Sequence, residues 1–160
     1  MTLLSWRNEY RVGVPMIDKE HEYLIGLINE FHDRYAGGAT LPQALRVLNK
    51  LVSYAERHFR HEESLMAETG YPRLDNQRRL HEELFTSIFT LHEELCASKV
   101  QVDSRTMRFL RHWLLDHIIE EDMDIGDFMR RKAAQSEKAA KDAKREEAQG
   151  QEAAEVPGDA

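Results

Sequence analysis

Residues 58–81 of the chain read HFRHEESLMAETGYPRLDNQRRLH. His58 and Glu62 are four residues apart in this stretch, so they lie one turn apart on the same face of a helix. That face is otherwise apolar, and burying an imidazole and a carboxylate there is costly unless they are paired or bind a metal. Gly70 and Pro72 then separate this helix from a following segment that carries His81. The stretch therefore predicts two helices joined by a tight turn, with a functional site between them.

Apolar residues recur with helical spacing on both sides of this stretch. Upstream, one helix shows its apolar face between Ile17 and Tyr35, and the next begins at a capping box that runs from Thr40 to Gln43. Downstream, the third helix continues to about Leu95, and a fourth follows a short polar loop. Four amphipathic helices joined by short loops predict an all-α protein, an antiparallel up-down-up-down four-helix bundle.

The two ends of the chain lack this pattern. Residues 1–16 show no helical period, and we expect an ordered arm that lays Trp6 and Val12 over one end of the core. Residues 130–160 carry seven basic and seven acidic side chains and no apolar stripe. We therefore expect one bundle domain over residues 1–129, followed at 130–160 by a charged helical extension and a disordered tail.

Composition excludes several classes of partner and compartment. The net charge is −7, and this acidic balance argues against nucleic acid or an anionic membrane as the main partner. Cys96 is the only cysteine, so an intramolecular disulfide and a thiolate zinc site are both excluded. The sequence shows neither a signal peptide nor an apolar segment long enough to span a membrane. We expect a soluble cytoplasmic protein whose only macromolecular partner would be a protein that binds the C-terminal tail.

The bundle topology brings four histidines and two acids to one layer of the core. They are His21, His58, Glu62, His81, His117 and Asp122. Imidazole and carboxylate ligands without thiolate are typical of iron, manganese or zinc. Two carboxylates among the histidines favour a pair of metals about 3.5–4 Å apart. Spacing excludes two other sites, because the chain contains neither the Glu-x-x-His motif of ferritin-like proteins nor the His-Glu-x-x-His motif of zinc proteases.

Four motifs together carry a resemblance to a known family. They are IDKEH at 17–21, HFRHEE at 58–63, GYP at 70–72 followed by a histidine at 81, and WLLDHIIEED at 113–122. Over roughly residues 6–128 the chain resembles the hemerythrin family, and within it the bacteriohemerythrins. The resemblance implies a non-haem di-iron centre that binds O₂, with two iron ions that alternate between Fe²⁺ and Fe³⁺ and share an oxo or hydroxo bridge.

The resemblance also implies a role for each matched residue. His21 and His58 correspond to ligands of one iron, and His81 and His117 to ligands of the other. Glu62 and Asp122 correspond to the bridging carboxylates; Glu121 is the alternative to Asp122, because Asp122 is five residues from His117 and about 140° round an α-helix. The residues that correspond to the apolar pocket around O₂ are Trp113, Leu114 and Ile118. No residue corresponds to a catalytic group.

Position 77 departs from the family pattern. The family has two histidines four residues apart after Tyr-Pro, which here would be 77 and 81, but residue 77 is Gln. Gln77 is either a weak oxygen ligand or a hydrogen-bonding neighbour of the metals. His61, one turn from His58, is a second candidate to replace the missing ligand. We expect an iron site that is more open, more labile and more easily oxidised than that of a dedicated oxygen carrier.

Three functions remain open at this point. The first is a binding protein that binds, stores or senses O₂. The second is a di-iron redox enzyme that acts on peroxide or nitric oxide, which an open site would allow. The third is a metal-storage or structural bundle, for which removal of the metal would lower the melting temperature whatever gas is present.

Overall fold

The computed structural model describes residues 3–154, which form four long helices and no strand. The helices are α1 (Pro15–Ala36), α2 (Leu41–Thr69), α3 (Leu74–Cys96) and α4 (Ser104–His117), which continues through a π-helical turn (Ile118–Asp122) into α5 (Met123–Ala154). Because α4, the π-turn and α5 are continuous, they act as the fourth long helix. The predicted all-α, antiparallel four-helix bundle is confirmed.

Local sequence signals set the two ends of α2. At its start, the Thr40 N–H donates to Gln43 Oε1 at 2.9 Å, as the capping box predicts. At its end, Gly70 takes the left-handed conformation with φ of 71°, which a glycine adopts without steric cost. The Tyr71 N–H then donates to Met66 O at 2.9 Å. This reversal sends α3 back along α2.

The core consists of two apolar clusters with a polar layer between them. α1 packs against α2 and α4, and α2 packs against α3. Along α2, Phe59 belongs to the larger cluster and Met66 to the smaller one, which also contains Tyr71 and Ile125. Glu62 lies between Phe59 and Met66 in the sequence and is buried. Within residues 3–154, no helix combines the length and the apolar character that crossing a membrane would need.

The N-terminal arm lies along α1 rather than over one end of the core, where we expected it. The Leu4 N–H donates to Asn29 Oδ1 at 2.8 Å, near the middle of α1. The Val12 N–H donates to Asp18 Oδ1 at 2.8 Å, in the first turn of α1. Trp6 is half-buried against the larger cluster, and Val12 is fully buried. The arm therefore runs antiparallel to α1 for about half of that helix.

Gly126 of α5 holds the arm against the fourth long helix. A Cβ at this position would lie 1.9 Å from the backbone oxygen of Val12, so only glycine permits this approach. One turn later, Arg130 Nη1 donates to the same oxygen at 2.7 Å. The arm is thus fixed to both α1 and α5.

Beyond Met129, α5 becomes exposed, and Arg130 and Lys132 still contact Val12 O and Thr69 O. The helix continues to Ala154, and every residue from 130 to 150 is exposed. The predicted disorder of the last residues falls on 155–160, which lie outside the described residues, as do the first two residues of the arm.

Candidate metal centre

Six polar side chains from all four long helices are buried at one level of the bundle. They are His21 of α1, His58 and Glu62 of α2, His81 of α3, His117 at the end of α4 and Asp122 in the π-turn. None of them is more than 7 % exposed. The structure therefore brings together all six residues that we predicted from the sequence as metal ligands.

Glu62 lies between histidines on two sides. Its Oε1 is 3.1 Å from His58 Nε2 and 3.5 Å from His21 Nε2. Its Oε2 is 3.2 Å from His81 Nε2, on the opposite side. One carboxylate oxygen therefore faces the His21–His58 pair, and the other faces a histidine of α3.

Asp122 repeats this arrangement from the fourth helix. Its Oδ2 is 3.0 Å from His21 Nε2, and its Oδ1 is 3.1 Å from His117 Nε2. The π-turn makes this possible, because the Met123 N–H bonds to Ile118 O, five residues earlier. A π-turn takes one more residue per turn than an α-helix, so residues five apart come to lie above one another. Asp122 thereby faces the same layer as His117, and Glu121 does not.

The ligand atoms form two sets that share both carboxylates. One set is His21, His58, Glu62 and Asp122, and the other is Glu62, His81, His117 and Asp122; within each set the ligand atoms lie within 4.8 Å of one another. The Nε2 atoms of the four histidines and all four carboxylate oxygens are buried without a properly aligned hydrogen bond. Buried polar atoms that form no well-aligned hydrogen bonds destabilise a fold, unless their lone pairs converge on a bound cation. The residues present fit a pair of metal ions bridged by two carboxylates.

The pKa shifts of the metal-free protein agree with a site built for cations. Burial lowers the pKa of His58, but Glu62, Glu20 and Asp122 together outweigh burial and raise it to about 10. Burial likewise lowers the pKa values of His21 and His117, and Asp122 and Glu62 together raise both above the usual histidine value. Burial raises the pKa of Glu62, but the neighbouring histidines, His58 foremost, together hold it well below the usual range. At neutral pH the metal-free cluster thus contains a protonated His58 imidazole beside the ionised carboxylate of Glu62.

Glu20 is a partner of this cluster that the sequence reasoning missed. His58 Nδ1 donates to Glu20 Oε2 at 2.8 Å, which leaves Nε2 as the ring nitrogen that faces the other ligands. Burial raises the pKa of Glu20, and the bonds from His58 and His61 lower it further than burial raises it. Its position immediately before His21 was the only signal in the sequence.

His61 does not replace the missing ligand. Its Nδ1 donates to Glu20 Oε1 at 2.5 Å, and 42 % of its side chain is exposed. His61 therefore supports the Glu20 carboxylate from outside the cluster. A comparable outer contact is made by Glu63, whose Oε1 accepts a hydrogen bond from His81 Nδ1 at 2.9 Å.

Gln77 is fully buried one turn before His81 on α3. Its Nε2 donates to Glu121 Oε2 at 3.4 Å, whereas its Oε1 is buried without a hydrogen-bond partner. Glu121, which the sequence offered as an alternative to Asp122, therefore contacts Gln77 instead of the four histidines.

Aromatic and aliphatic side chains surround the cluster on the side of the larger core. Phe59 stacks on His81 with ring centroids 4.4 Å apart. Trp113, Leu114 and Ile118, the predicted oxygen pocket, are all buried next to His117 along the fourth helix. Trp113 is fixed by its Nε1, which donates to Leu84 O at 2.9 Å.

A cleft of about 400 Å³ opens beside the cluster, between α3 and α4. Its apolar wall includes Leu84, Phe109 and Trp113, and its inner end reaches His117. The cleft gives small molecules an approach from the surface toward the histidine layer.

Comparisons with known proteins agree with this geometry. Residues 12–129 match the family model described as the hemerythrin HHE cation binding domain. The chain is 30 % identical over 130 residues to a bacteriohemerythrin of Stenotrophomonas maltophilia, covering 79 % of this chain and 82 % of that protein. It is 29 % identical to a bacteriohemerythrin of Methylococcus capsulatus over 79 % of this chain and 96 % of the relative.

An animal relative and a solved structure are also similar. A myohemerythrin of Riftia pachyptila is 29 % identical over 113 residues, which is 71 % of this chain and 82 % of that protein. A crystal structure of wild-type hemerythrin superposes with a TM-score of 0.72 at 28 % identity, covering 78 % of this chain and 96 % of that chain.

Proposed function

The chain belongs to the hemerythrin family, and from this premise we propose that it is a non-haem di-iron protein that binds O₂ reversibly, for storage or sensing. Its cofactor is a pair of iron ions. The observation that carries the proposal is that Glu62 and Asp122 each direct one oxygen to each of the two ligand sets. When bound, the iron pair supplies the electrons that O₂ capture requires.

We propose a role for each residue of the two sets. His21 and His58 would hold one iron, and His81 and His117 would hold the other. Glu62 and Asp122 would each offer one oxygen to either iron, and their negative charge would offset part of the charge of the metals. Glu20 and Glu63 orient His58 and His81 so that Nε2 faces the metal, because each accepts a hydrogen bond at Nδ1.

The apolar side chains keep water away from the centre in this proposal. Trp113, Leu114 and Ile118 form the pocket next to His117, where O₂ would bind. Because they are buried and apolar, they exclude the water and reductants that would end reversible binding. Phe59 covers the ring of His81 on the same side.

The atypical residue of the centre is Gln77. We propose that the iron held by His81 and His117 has one imidazole fewer than its counterpart in the relatives whose motif has histidine at this position. A neutral amide oxygen binds iron more weakly than an imidazole nitrogen, so this iron is lost and oxidised more easily.

Gln77→His tests that difference. The substitution supplies a third imidazole beside His81 and His117, so we expect iron release to a chelator and oxidation in air both to slow, each by several-fold. The measurement is the absorbance of the iron–chelator complex over time, with the visible spectrum recorded in parallel. Unchanged rates for both processes would contradict the proposal that the site is more labile.

A redox enzyme is the second candidate, and the cleft that reaches His117 favours it. Peroxide or nitric oxide is small enough to enter a space of about 400 Å³ and approach the histidine layer. Turnover of either substrate with an added reductant, well above that of free iron, would support an enzyme. A rate equal to that of free iron would exclude it.

The test of O₂ binding uses the iron-loaded protein, reduced without air. O₂ is admitted, the visible spectrum is recorded, and the gas is then removed. We expect an absorption band that appears with O₂ and disappears under vacuum. A spectrum that moves directly and irreversibly to that of the oxidised protein would contradict reversible binding and favour the redox enzyme.

We also propose that the protein works in the cytoplasm, where Cys96 would stay reduced as an exposed thiol. If it is a sensor, the exposed helix beyond Met129 is the part of the chain that would bind a partner protein.

A further inference from the structure

The side-chain amide of Gln77 has two ends in different surroundings. Its nitrogen faces Glu121, with 3.4 Å between Gln77 Nε2 and Glu121 Oε2. Its oxygen is buried and has no hydrogen-bond partner. A buried amide oxygen without a partner destabilises the fold, so its persistence at a fully buried position requires an explanation.

The chemistry of Glu121 fixes which way this amide faces. A carboxylate accepts hydrogen bonds, and only the NH₂ end of an amide can donate one. With the NH₂ end turned toward Glu121, the oxygen must turn the other way. The orientation of the amide therefore follows from its partner and does not depend on telling nitrogen from oxygen in the structure.

Gln77 lies beside residues of the ligand layer on two elements. Gln77 lies one turn from His81 on the same face of α3. Glu121 precedes Asp122 in the π-turn, and both neighbours, His81 and Asp122, belong to the same ligand set. The unpartnered oxygen thus belongs to a side chain that is one helical turn from one member of that set and bonded to the chain neighbour of another.

We propose that Gln77 is an oxygen ligand of the metal held by His81 and His117, and that Glu121 is a positioning residue that keeps the amide oxygen turned toward that metal. The pair takes the place of the histidine found at this position in the family motif. The inference rests on the proposed di-iron function and adds to it the donor atom and the residue that orients it. A hard amide oxygen also suits Fe²⁺ and Fe³⁺, so the site keeps iron even without the imidazole.

The experiment compares iron release from four forms of the full chain. They are the wild-type protein, Glu121→Gln, Gln77→Leu and the variant with both changes. A glutamine at position 121 can donate or accept, so it no longer selects one orientation of the Gln77 amide. Glu120→Gln is the matched control, because it makes the same change of charge at the exposed neighbouring position.

Each protein is loaded with iron, reduced without air and mixed with a coloured Fe²⁺ chelator. We expect Glu121→Gln to speed the release of one of the two irons on the order of tenfold, the scale typical of lost outer contacts, and to leave the other unchanged. Gln77→Leu should have at least that effect, and the double variant should be no faster than Gln77→Leu alone. Glu120→Gln should release iron like the wild type.

Two results would overturn the inference while leaving the di-iron function intact. One is a Glu121→Gln variant that releases iron like Glu120→Gln. The other is an effect of Glu121→Gln that persists in full in the Gln77→Leu background, since Glu121 would then act without Gln77. A wild-type protein that fails to hold two irons per chain would overturn the proposed function and this inference together.

A second measurement covers the case in which Gln77→Leu does not fold. In the zinc-loaded protein, ¹⁵N NMR should show the two amide protons of Gln77 exchanging slowly with solvent and shifting when zinc binds. In Glu121→Gln the same protons should exchange faster. Amide signals that do not respond to zinc would overturn the inference directly.

Discussion

Single residues outside the ligand layer decide which ring nitrogen His58 and His81 present to it. Because Glu20 accepts a hydrogen bond from His58 Nδ1, the lone pair of the neutral ring is on Nε2, the atom that faces Glu62. Glu63 does the same for His81. These carboxylates lower the entropy lost on metal binding, because the rings are already oriented in the folded chain.

Replacing Glu20 should therefore weaken metal binding. In Glu20→Ala, His58 loses its acceptor and the ring is free to rotate or to change tautomer, so we expect metal affinity to fall about 10- to 100-fold. The measurement is competition for Co²⁺ or Fe²⁺ against a chelator of known affinity. Glu22→Ala, an exposed acid two residues away, is the control; equal affinities of the two variants would contradict the role assigned to Glu20.

The protonation of the metal-free cluster gives a second prediction at this scale. His58 has a pKa raised to about 10, so its proton stabilises the metal-free fold fully below the unfolded value near 6.5, and this contribution is lost as pH rises toward 10. Metal ligation requires neutral imidazole, so loading must displace these protons. Between pH 6.5 and 10, we expect the metal-free protein to become less stable while its apparent affinity for metal increases.

Urea unfolding of the metal-free protein and metal titrations across the same pH range measure the two trends. Metal loading in a weakly buffered solution near pH 7 should also release protons, which a pH indicator detects. The prediction fails if stability and metal affinity change in the same direction with pH, or if metal binding releases no protons. Either result would show that the histidines are already neutral in the metal-free fold.

The sequence predicted the six candidate ligands but not the carboxylates that contact them from neighbouring helices. The six candidate ligands stood out because each interrupts an apolar helical face, and burial of a polar group on such a face needs a reason. Glu20 and Glu63 precede or follow a ligand by one residue, about 100° round the helix, so the apolar pattern did not single them out, and Glu121 was considered only as an alternative to Asp122. Only the packing of the neighbouring helices reveals that their carboxylates turn back toward the histidines and Gln77.

At the scale of elements, the π-turn is the feature that the sequence reasoning did not predict. A regular helix would put Asp122 about 140° away from His117, and that conflict left Glu121 open as the alternative. The π-turn removes the conflict by adding one residue to the turn. Periodicity over long segments predicts that a helix exists, but it does not tell whether a phase shift of one residue reflects a π-turn or a side chain on another face.

Deleting Ile119 tests this account. Ile119 lies within the π-turn and its side chain is 49 % exposed. Its removal should convert the turn to an ordinary α-helical one, in which Asp122 follows His117 by four residues and still faces the ligand layer. Ile125, further along, should keep its place in the smaller core cluster, so we expect two metals per chain and a melting temperature within about 5 °C of wild type.

The control deletes Arg111, an exposed residue in the regular part of α4. There the deletion turns the following residues by about 100° relative to those before it, and pulls Trp113 and Leu114 off the core face. A loss of more than about 4–5 kcal/mol is expected, which marks disruption of the core. Circular dichroism melting curves and metal content distinguish the two deletion variants. If both deletions lowered stability and metal content equally, the π-turn would not be a one-residue insertion that the fold can lose.

At the scale of the whole molecule, the ligand layer lies where all four long helices converge. The arm binds the first turn of α1 through Asp18 and is held against α5 at Gly126. Both contacts lie near the smaller core cluster, which closes the end of the bundle beyond the ligands. The fold as a whole therefore encloses the polar layer between two apolar clusters, and this enclosure raises the cost of an empty site.

The exposed part of α5 should be dispensable for this enclosure. Lys132 still contacts Thr69 O at the end of α2 and lies over the ring of Phe128. After it, residues 133–150 are exposed, and the ion pair between Glu137 and Lys141 joins two residues of this same helix. A helix without tertiary contacts is only marginally stable in water, so this segment adds little to the free energy of unfolding.

We therefore predict that truncation after Ala134 leaves the melting temperature and the metal content unchanged, while the helical signal in circular dichroism falls by the share of the removed segment. In the full chain, amides of residues 135–150 should exchange with solvent far faster than those of α2, because their helix can open without disturbing the bundle.

A truncated protein that melts several degrees lower would contradict the claim that this segment adds little stability. If that loss occurred only at high protein concentration, the segment would be binding a second copy of the chain, since only an intermolecular contact makes the melting temperature depend on concentration.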